Sequence, residues 1–151
     1  MRRFAIGLLL ALAPLPAAAF QCHTALVMGL DASRSVDGRE SRLQRQGLAD
    51  ALTSPEIMAA ITPYEGAGIA AMAFEWSAPD DQSIIAQWRV LDSEGAIAVF
   101  AAEIVETPGV EERWKTGIGA AMGFAATAFR EAPAECRRHV IDISGDGPGN
   151  D

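Results

Sequence analysis

The segment Thr24-Ala-Leu-Val-Met-Gly-Leu30 continues directly into Asp31-Ala-Ser-Arg-Ser-Val-Asp37. The first segment is a continuous apolar run, which is typical of a strand that is buried on both faces of a sheet. The second segment is polar, and ligands of α/β proteins bind beyond the carboxyl ends of parallel strands, where such segments begin. This stretch therefore predicts an α/β fold with a binding site that begins at Asp31.

Strand and helix patterns alternate along the rest of the chain. After the strand at 24–30, strands are predicted at 69–76, 84–91 and 139–143, and helices at 38–52, 55–61, 94–105 and 116–131. The strand at 84–91 is expected to form an edge hairpin with the strand before it. Glycines and alanines on the packing face of the last helix indicate close approach to the sheet. This alternation predicts a sheet with helices on both faces.

The amino terminus is typical of a secretory signal peptide. Arg2 and Arg3 precede an apolar run at 4–16, and three alanines follow, ending at Ala19. The apolar run is shorter than the roughly 20 residues that a membrane-spanning helix needs. We therefore predict a signal peptide at residues 1–19 and a periplasmic or secreted mature domain at 20–151, with no membrane insertion after cleavage.

Length and charge narrow the class of partner. The chain has 151 residues and a formal net charge of −8, and removal of the two arginines of the signal peptide takes it to −10. The remaining length, about 130 residues, is enough for one domain with its own core. An acidic surface repels phosphate backbones and anionic lipids, so nucleic acid and anionic membranes are poor partners.

The chain contains two cysteines, Cys22 and Cys136. The first lies nine residues before Asp31 and the second ten residues before Asp146, each ahead of a predicted strand. If these two strands are parallel neighbours, both thiols lie level at one end of the sheet. An exported protein meets an oxidising compartment, so we predict a disulfide, with two free thiols as the alternative.

Five oxygen-bearing side chains are candidate metal ligands: Asp31, Ser33, Ser35, Thr116 and Asp146. Each lies at the end of a predicted strand or at the start of a helix, and Mg²⁺ prefers such oxygen ligands. No histidine or thiol falls within the pattern, which argues against zinc. Taken singly, the serines suit a turn and the threonine suits a helix cap. Their joint placement predicts a Mg²⁺ site, in which Mn²⁺ or Ca²⁺ can substitute.

The motifs Asp31-x-Ser33-x-Ser35, Thr116-Gly117 and Asp146-Gly147 resemble the metal-ion-dependent adhesion site of von Willebrand factor A domains. The resemblance implies that the serines and the threonine ligate the ion directly and that the aspartates act directly or through water. It also implies a Rossmann-like, mostly parallel sheet with one antiparallel edge strand. The expected function is a non-catalytic binding module whose cation captures an Asp or Glu carboxylate of a protein partner.

Within that superfamily the chain is similar to a bacterial group of exported proteins of unknown function. The residues that carry this similarity are Cys22, Phe74-Glu-Trp76, Trp88 and the run from Arg137 to Gly147. Family members continue past the last aspartate loop, so the resemblance implies that the last two strand and helix units are missing and that the domain is incomplete at its C-terminus. An uncovered strand edge would then favour association over a stable monomer.

An enzyme remains the alternative. Asp31 at a strand end and the acidic segment 145–151 resemble a haloacid-dehalogenase-like, Mg²⁺-dependent phosphatase. Ser33, however, replaces the second aspartate that serves as the general acid in that family. The acidic segment also has one residue too many between Gly147 and Asn150. We therefore expect no catalytic activity.

Two further site classes fit the residues less well. An EF-hand loop that starts at Asp31 would need glycine where Val36 stands and glutamate where Arg42 stands. A serine hydrolase would need a histidine near Ser33 or Ser35. Both histidines, His23 and His139, fall early in their strands and so far from the carboxyl ends.

Overall fold

The computed structural model describes residues 21–62, 67–109 and 115–145. The predicted signal peptide and Asp146 lie outside the described residues. The elements in chain order are β1 (Gln21–Asp31), α1 (Gly38–Leu52), α2 (Pro55–Ile61), β2 (Ala67–Trp76), β3 (Gln82–Leu91), α3 (Glu94–Glu106), α4 (Ile118–Ala128), a 3₁₀ turn (Phe129–Glu131) and β4 (Cys136–Ser144). Every predicted strand and helix is present, and the ends differ by a few residues.

The strands form one sheet in the order β3-β2-β1-β4. Strand β1 pairs in parallel with both β2 and β4, whereas β3 pairs antiparallel with β2. The sheet is therefore mostly parallel with one antiparallel edge strand, and the predicted fold class is confirmed. The register places Asp31 opposite Trp76 and Leu30 opposite Ser144, so the carboxyl ends of β1, β2 and β4 lie level at one edge.

Helices cover both faces of the sheet because side chains alternate along each strand. Met28 and Leu30 of β1 join a core with residues of α1, α2 and α3, including Phe100. Val27 of β1 and Phe74 of β2 join a second core with α4. Both faces of the central strands are thus apolar, which explains why β1 reads as a continuous apolar run rather than an alternating one.

Helix α4 packs on the sheet through alanines rather than glycines. Ala121, Ala125 and Ala128 are buried against the second core. Gly119 and Gly123 face solvent, and a Cβ atom added at Gly123 would meet no atom within 4 Å. The predicted approach to the sheet through small residues is made by alanines, and only the placement of the glycines on the packing face is wrong, because the periodicity of a Gly- and Ala-rich helix does not reveal which small residues face inward.

Serine side chains cap two of the helices. Ser93 caps α3 by accepting from the backbone N–H of Ala96, and Ser54 caps α2. Helix α4 starts after Gly117 and has no side-chain cap, so Thr116 lies outside the helix and the prediction that it opens the helix is wrong. None of the described helices is long and apolar enough to cross a bilayer.

A disulfide joins Cys22 of β1 to Cys136 of β4. The two residues are register partners in the parallel pair, and their Cα atoms are 4.5 Å apart. The predicted disulfide is confirmed. Because both cysteines stand at the amino ends of their strands, the bridge lies at the edge of the sheet opposite Asp31.

Candidate metal centre

Asp31, the last residue of β1, has a buried carboxylate, and only one of its two oxygens accepts a hydrogen bond from the described residues. The residue is 1% exposed, and its Oδ1 accepts the backbone N–H of Ser33 at 2.7 Å. Its Oδ2 is buried and, in the part of the chain that the structure describes, accepts no hydrogen bond. A carboxyl oxygen without a hydrogen-bond partner costs free energy in a buried position. A bound cation would remove that cost.

The two serines of the motif place their hydroxyls beside each other after Asp31. Their Oγ atoms are 3.1 Å apart, and Ser33 is 1% exposed whereas Ser35 is exposed. The backbone N–H of Val36 donates to the carbonyl of Ser33 at 2.9 Å, and the Val36 side chain is buried. This turn and its apolar anchor fix the loop, so that alternate residues turn their hydroxyls to the same side.

Asp37, the last carboxylate of the loop, caps α1. Its Oδ1 accepts the backbone N–H groups of Arg39 and Glu40, and the Glu40 carboxylate accepts the N–H of Asp37 in return. The bond from the Glu40 N–H, followed by that from Arg39, lowers the pKa of Asp37. This capping box assigns Asp37 to the helix rather than to a calcium loop.

Thr116 reaches the same edge of the sheet through contacts with the end of β2. The backbone N–H of Gly117 donates to the carbonyl of Ser77 at 2.7 Å, and the Ser77 hydroxyl donates to the carbonyl of Lys115 at 3.3 Å. The N–H of Ala32, beside Asp31, donates to the carbonyl of Trp76. Thr116, 6% exposed, and Asp31 are therefore both held by the residues that end β2.

Gly117 allows this close approach because it has no side chain. A Cβ atom there would lie 3.0 Å from the carbonyl oxygen of Ser77 and 3.0 Å from the nitrogen of Pro79. Both contacts are with backbone, which cannot rotate away as a side chain can. The glycine that follows Thr116 in the sequence motif thus has a steric role in this structure.

The carboxyl end of β4 approaches Asp31 at Gly145. Ser144 pairs with Leu30, and a Cβ atom added at Gly145 would lie 3.2 Å from Oδ2 of Asp31. Asp146 itself lies outside the described residues. The structure therefore gathers Asp31, Ser33, Ser35 and Thr116 at one edge of the sheet.

Two buried polar features near this edge were not identified from the sequence. The indole Nε1 of Trp76 is buried and makes no hydrogen bond within the described part of the chain. Next to it, the carboxylate of Glu75 is 1% exposed and pairs with Arg45 at 2.7 Å. The sequence indicates the ion pair only through Glu75, a charged residue within the apolar run at 69–76.

The donor set fits a hard cation better than zinc. Among the described residues, no three His, Cys, Asp or Glu side chains come together. The candidate side chains at this edge carry carboxylate and hydroxyl oxygens, which suit Mg²⁺, Mn²⁺ or Ca²⁺. Asp31 supplies one negative charge and the hydroxyls are neutral, so these side chains would leave part of the charge of a divalent cation uncompensated.

The histidines lie away from this edge, as the sequence predicts. His23 is the third residue of β1, and its Nδ1 is 2.8 Å from the hydroxyl of Thr24. His139 pairs with Ala25 near the amino end of the parallel pair and stacks on Phe129, with ring centroids 4.6 Å apart. Neither imidazole can activate a serine of the Asp31 loop.

The sequence pattern of a protein family described as "Protein of unknown function (DUF1194)" matches residues 21–151. The chain belongs to this family. The match spans all the described elements and both cysteines, so it includes the edge of the sheet at which the candidate ligands meet. A comparison with curated proteins gives no match.

Solved structures identify the fold of this DUF1194 domain. The vWF domain of the type V pili tip protein Mfa5 from Porphyromonas gingivalis is similar over 83% of the chain, with a TM-score of 0.55 and 15% sequence identity. A structure of three N-terminal domains of the same protein is similar over 80% of the chain, with a TM-score of 0.52 and 15% identity. The chain spans 38% and 19% of those two chains. The fold is of the von Willebrand factor A type, as predicted.

Proposed function

We propose that this domain is a non-catalytic binding module that holds a divalent cation at the edge formed by β1, β2 and β4. The proposed ligands are Asp31, Ser33, Ser35, Thr116 and Asp146. Mg²⁺ is the preferred ion, with Mn²⁺ and Ca²⁺ as substitutes. The bound cation captures a carboxylate of a protein partner.

The observation that carries this proposal is the half-satisfied carboxylate of Asp31. Its Oδ1 is fixed by the N–H of Ser33, so the side chain is locked in one orientation. Its Oδ2 is buried without a partner among the described residues, next to Gly145. A chain that buries a carboxylate oxygen in this way loses stability unless a positive group compensates it. The neighbouring hydroxyls of Ser33 and Ser35 supply further oxygen ligands.

The chemistry of the ligand set indicates an acidic partner. When bound, the cation supplies a positive charge that hydroxyl ligands do not neutralise, so it attracts an external carboxylate in place of water. Ser35 is exposed, whereas Asp31 and Ser33 are buried, so the partner approaches from the Ser35 side. An Asp or Glu of a protein surface meets this requirement.

No reaction is proposed for the site. A phosphatase of the haloacid-dehalogenase type needs a second carboxylate two residues after the first. The side chain at that position is the buried hydroxyl of Ser33, which is 3.1 Å from the Ser35 hydroxyl. A hydroxyl at this place can ligate a cation, but it is a poor general acid. A binding role therefore fits these residues better than phosphoryl transfer.

The site of action that we propose is outside the cytoplasm, in the periplasm or the medium. The disulfide between Cys22 and Cys136 supports this location, because such bridges form and persist in oxidising compartments. The predicted signal peptide supplies the route of export. Expression with and without residues 1–19, followed by fractionation, tests the location.

The central experiment is a calorimetric titration of residues 20–151 with MgCl₂ and MnCl₂ in chelator-treated buffer. We expect saturable binding to the wild-type protein and none to Asp31→Ala. Asp142→Ala is the matched control, because Asp142 is an exposed carboxylate of β4 that lies outside the ligand set. Equal binding by wild type and Asp31→Ala would contradict the proposal.

A further inference from the structure

A buried ion pair lies directly beneath the edge that carries the candidate ligands. The Glu75 carboxylate of β2 accepts from Nε of Arg45 at 2.7 Å and from the hydroxyl of Ser41 at 3.0 Å. The side chains of the pair are 10% and 1% exposed, for arginine and glutamate respectively. Arg45 and Ser41 both belong to α1. The pair therefore fastens α1 to the strand that ends next to Asp31.

The same arginine holds the end of α3 and the segment that follows it. Its Nη1 donates to the carbonyl of Thr107 at 2.6 Å and to that of Ile104 at 3.3 Å. A Cβ atom added at Gly109 would lie 1.9 Å from both Arg45 Nη2 and Glu75 Oε2. The backbone at Gly109 therefore packs directly on the ion pair, at a distance that excludes any side chain.

Residues 107–109 precede Thr116 in the chain, and the residues on both sides of Thr116 are hydrogen-bonded to Ser77, which follows the end of β2. Ser77, two residues after Glu75, is bonded to Lys115 through its hydroxyl and to Gly117 through its carbonyl. Residues 107–109 are thus held by the Arg45–Glu75 pair, and residues 115–117 are held by Ser77. The two attachments flank five residues that lie outside the described part of the chain.

We infer that Arg45 and Glu75 are positioning residues that set the location of Thr116 in the cation site. This inference rests on the function proposed above, because it assigns the ion pair a part in cation affinity. The hydrogen bonds described above join the pair to Ser41, Ile104 and Thr107 rather than to a proposed ligand. It fixes residues 107–109, and Thr116 follows seven residues after Gly109, so loss of the pair is expected to shift Thr116 relative to Asp31.

A purely stabilising ion pair would behave differently. Removing such a pair would lower the stability of the whole domain and leave the affinity of the folded protein for cations unchanged. A positioning pair changes cation affinity and the local opening of 107–117 more than it changes global stability. Residues that hydrogen-bond directly to metal ligands affect metal affinity by about 10- to 100-fold, so a pair that acts one contact further away is expected to lie at the lower end of that range.

The test compares wild type with Glu75→Gln, with the double variant Arg45→Met/Glu75→Gln, and with Arg89→Gln. The double variant leaves no buried charge without a partner, so it is expected to fold even if the single variant does not. Arg89→Gln is the matched control, because it removes the half-buried ion pair of Arg89 with Glu103, which joins β3 to α3. Mg²⁺ and Mn²⁺ affinities are measured by calorimetry, and amide hydrogen exchange is measured in chelator-treated buffer.

We expect the double variant to bind Mn²⁺ about 10-fold more weakly than wild type. We also expect faster exchange of the Gly117 N–H relative to that of Val27 in the centre of β1. The control Arg89→Gln should match wild type in both. Wild-type affinity in the double variant would overturn the inference, as would exchange that accelerates equally at Gly117 and Val27. If wild type itself binds no cation, the proposed function fails, and the exchange comparison alone decides the positioning role.

Discussion

Asp31 and Gly145 lie side by side at the carboxyl ends of two neighbouring parallel strands. A Cβ atom on Gly145 would come within 3.2 Å of Oδ2 of Asp31 and within 3.3 Å of the Trp76 ring. Because glycine has no Cβ atom, β4 does not crowd Oδ2 of Asp31, which has no hydrogen-bond partner among the described residues. The residue that follows it in the chain, Asp146, is the last proposed ligand, so this approach of β4 to β1 links two parts of the sequence that are more than a hundred residues apart.

Cation binding should stabilise the fold through Asp31. A cation that binds the native state at 100 times its dissociation constant raises the free energy of unfolding by about 2.7 kcal/mol. We expect MgCl₂ to raise the urea midpoint of the wild-type protein and to leave that of Asp31→Ala unchanged. Asp142→Ala should respond as wild type does. A Mg²⁺-dependent shift that survives in Asp31→Ala would place the ion elsewhere.

Replacing Gly117 and Gly123 by alanine should change the free energy of unfolding in opposite directions. At Gly117 the added methyl meets backbone atoms of Ser77 and Pro79, so Gly117→Ala is expected to lower the free energy of unfolding by about 1–3 kcal/mol. At Gly123 the methyl meets nothing and the residue lies within α4, so Gly123→Ala should raise it by about 0.5–1 kcal/mol. Urea unfolding measures both, and a stabilising Gly117→Ala would contradict the close approach.

The sequence was informative wherever a feature depends on residues close together in the chain. The apolar run before Asp31 and the carboxyl ends of the strands follow local rules. The disulfide could be predicted because the number of residues from each cysteine to the end of its strand could be counted. Local rules could not show that Arg45 pairs with Glu75, since the two are 30 residues apart and join only when α1 packs on the sheet.

The helix after Thr116 shows a second limit of local patterns. A segment made almost entirely of glycine and alanine has no strong apolar stripe, so its periodicity cannot show which face packs. The structure buries Ala121 and Ala125 and exposes Gly119 and Gly123. The helix begins after Thr116, so Thr116 does not cap it and lies at the edge of the sheet.

Acid should weaken the domain in part through Asp37. Hydrogen bonds from the backbone N–H of Glu40 and then of Arg39 lower the pKa of this carboxyl below its ordinary value of 3.8 in the folded state. A carboxyl with a lowered folded pKa stabilises the fold above its unfolded pKa, and this contribution is lost as the pH falls below 3.8 through the folded pKa. Asparagine also caps helices but does not titrate, so Asp37→Asn should lose less stability between pH 5 and pH 3, within about one or two pH units of that value. Urea unfolding across this range tests the prediction, and identical pH slopes for both proteins would refute it.

The disulfide should stabilise the domain without contributing to cation affinity. It closes a loop of 114 residues between Cys22 and Cys136, and loss of such a bridge typically costs about 2–5 kcal/mol. We expect Cys22→Ser/Cys136→Ser, or reduction of the wild-type protein, to lower the free energy of unfolding by this amount. Because the bridge joins the amino ends of β1 and β4, the opposite edge with Asp31 and Ser33 should keep its Mg²⁺ affinity as long as the chain stays folded. Calorimetry on the folded double variant at low temperature measures this. A large loss of affinity in a protein that remains folded would mean that the register of β4 against β1, and with it the approach of Gly145 to Asp31, depends on the bridge at the far end.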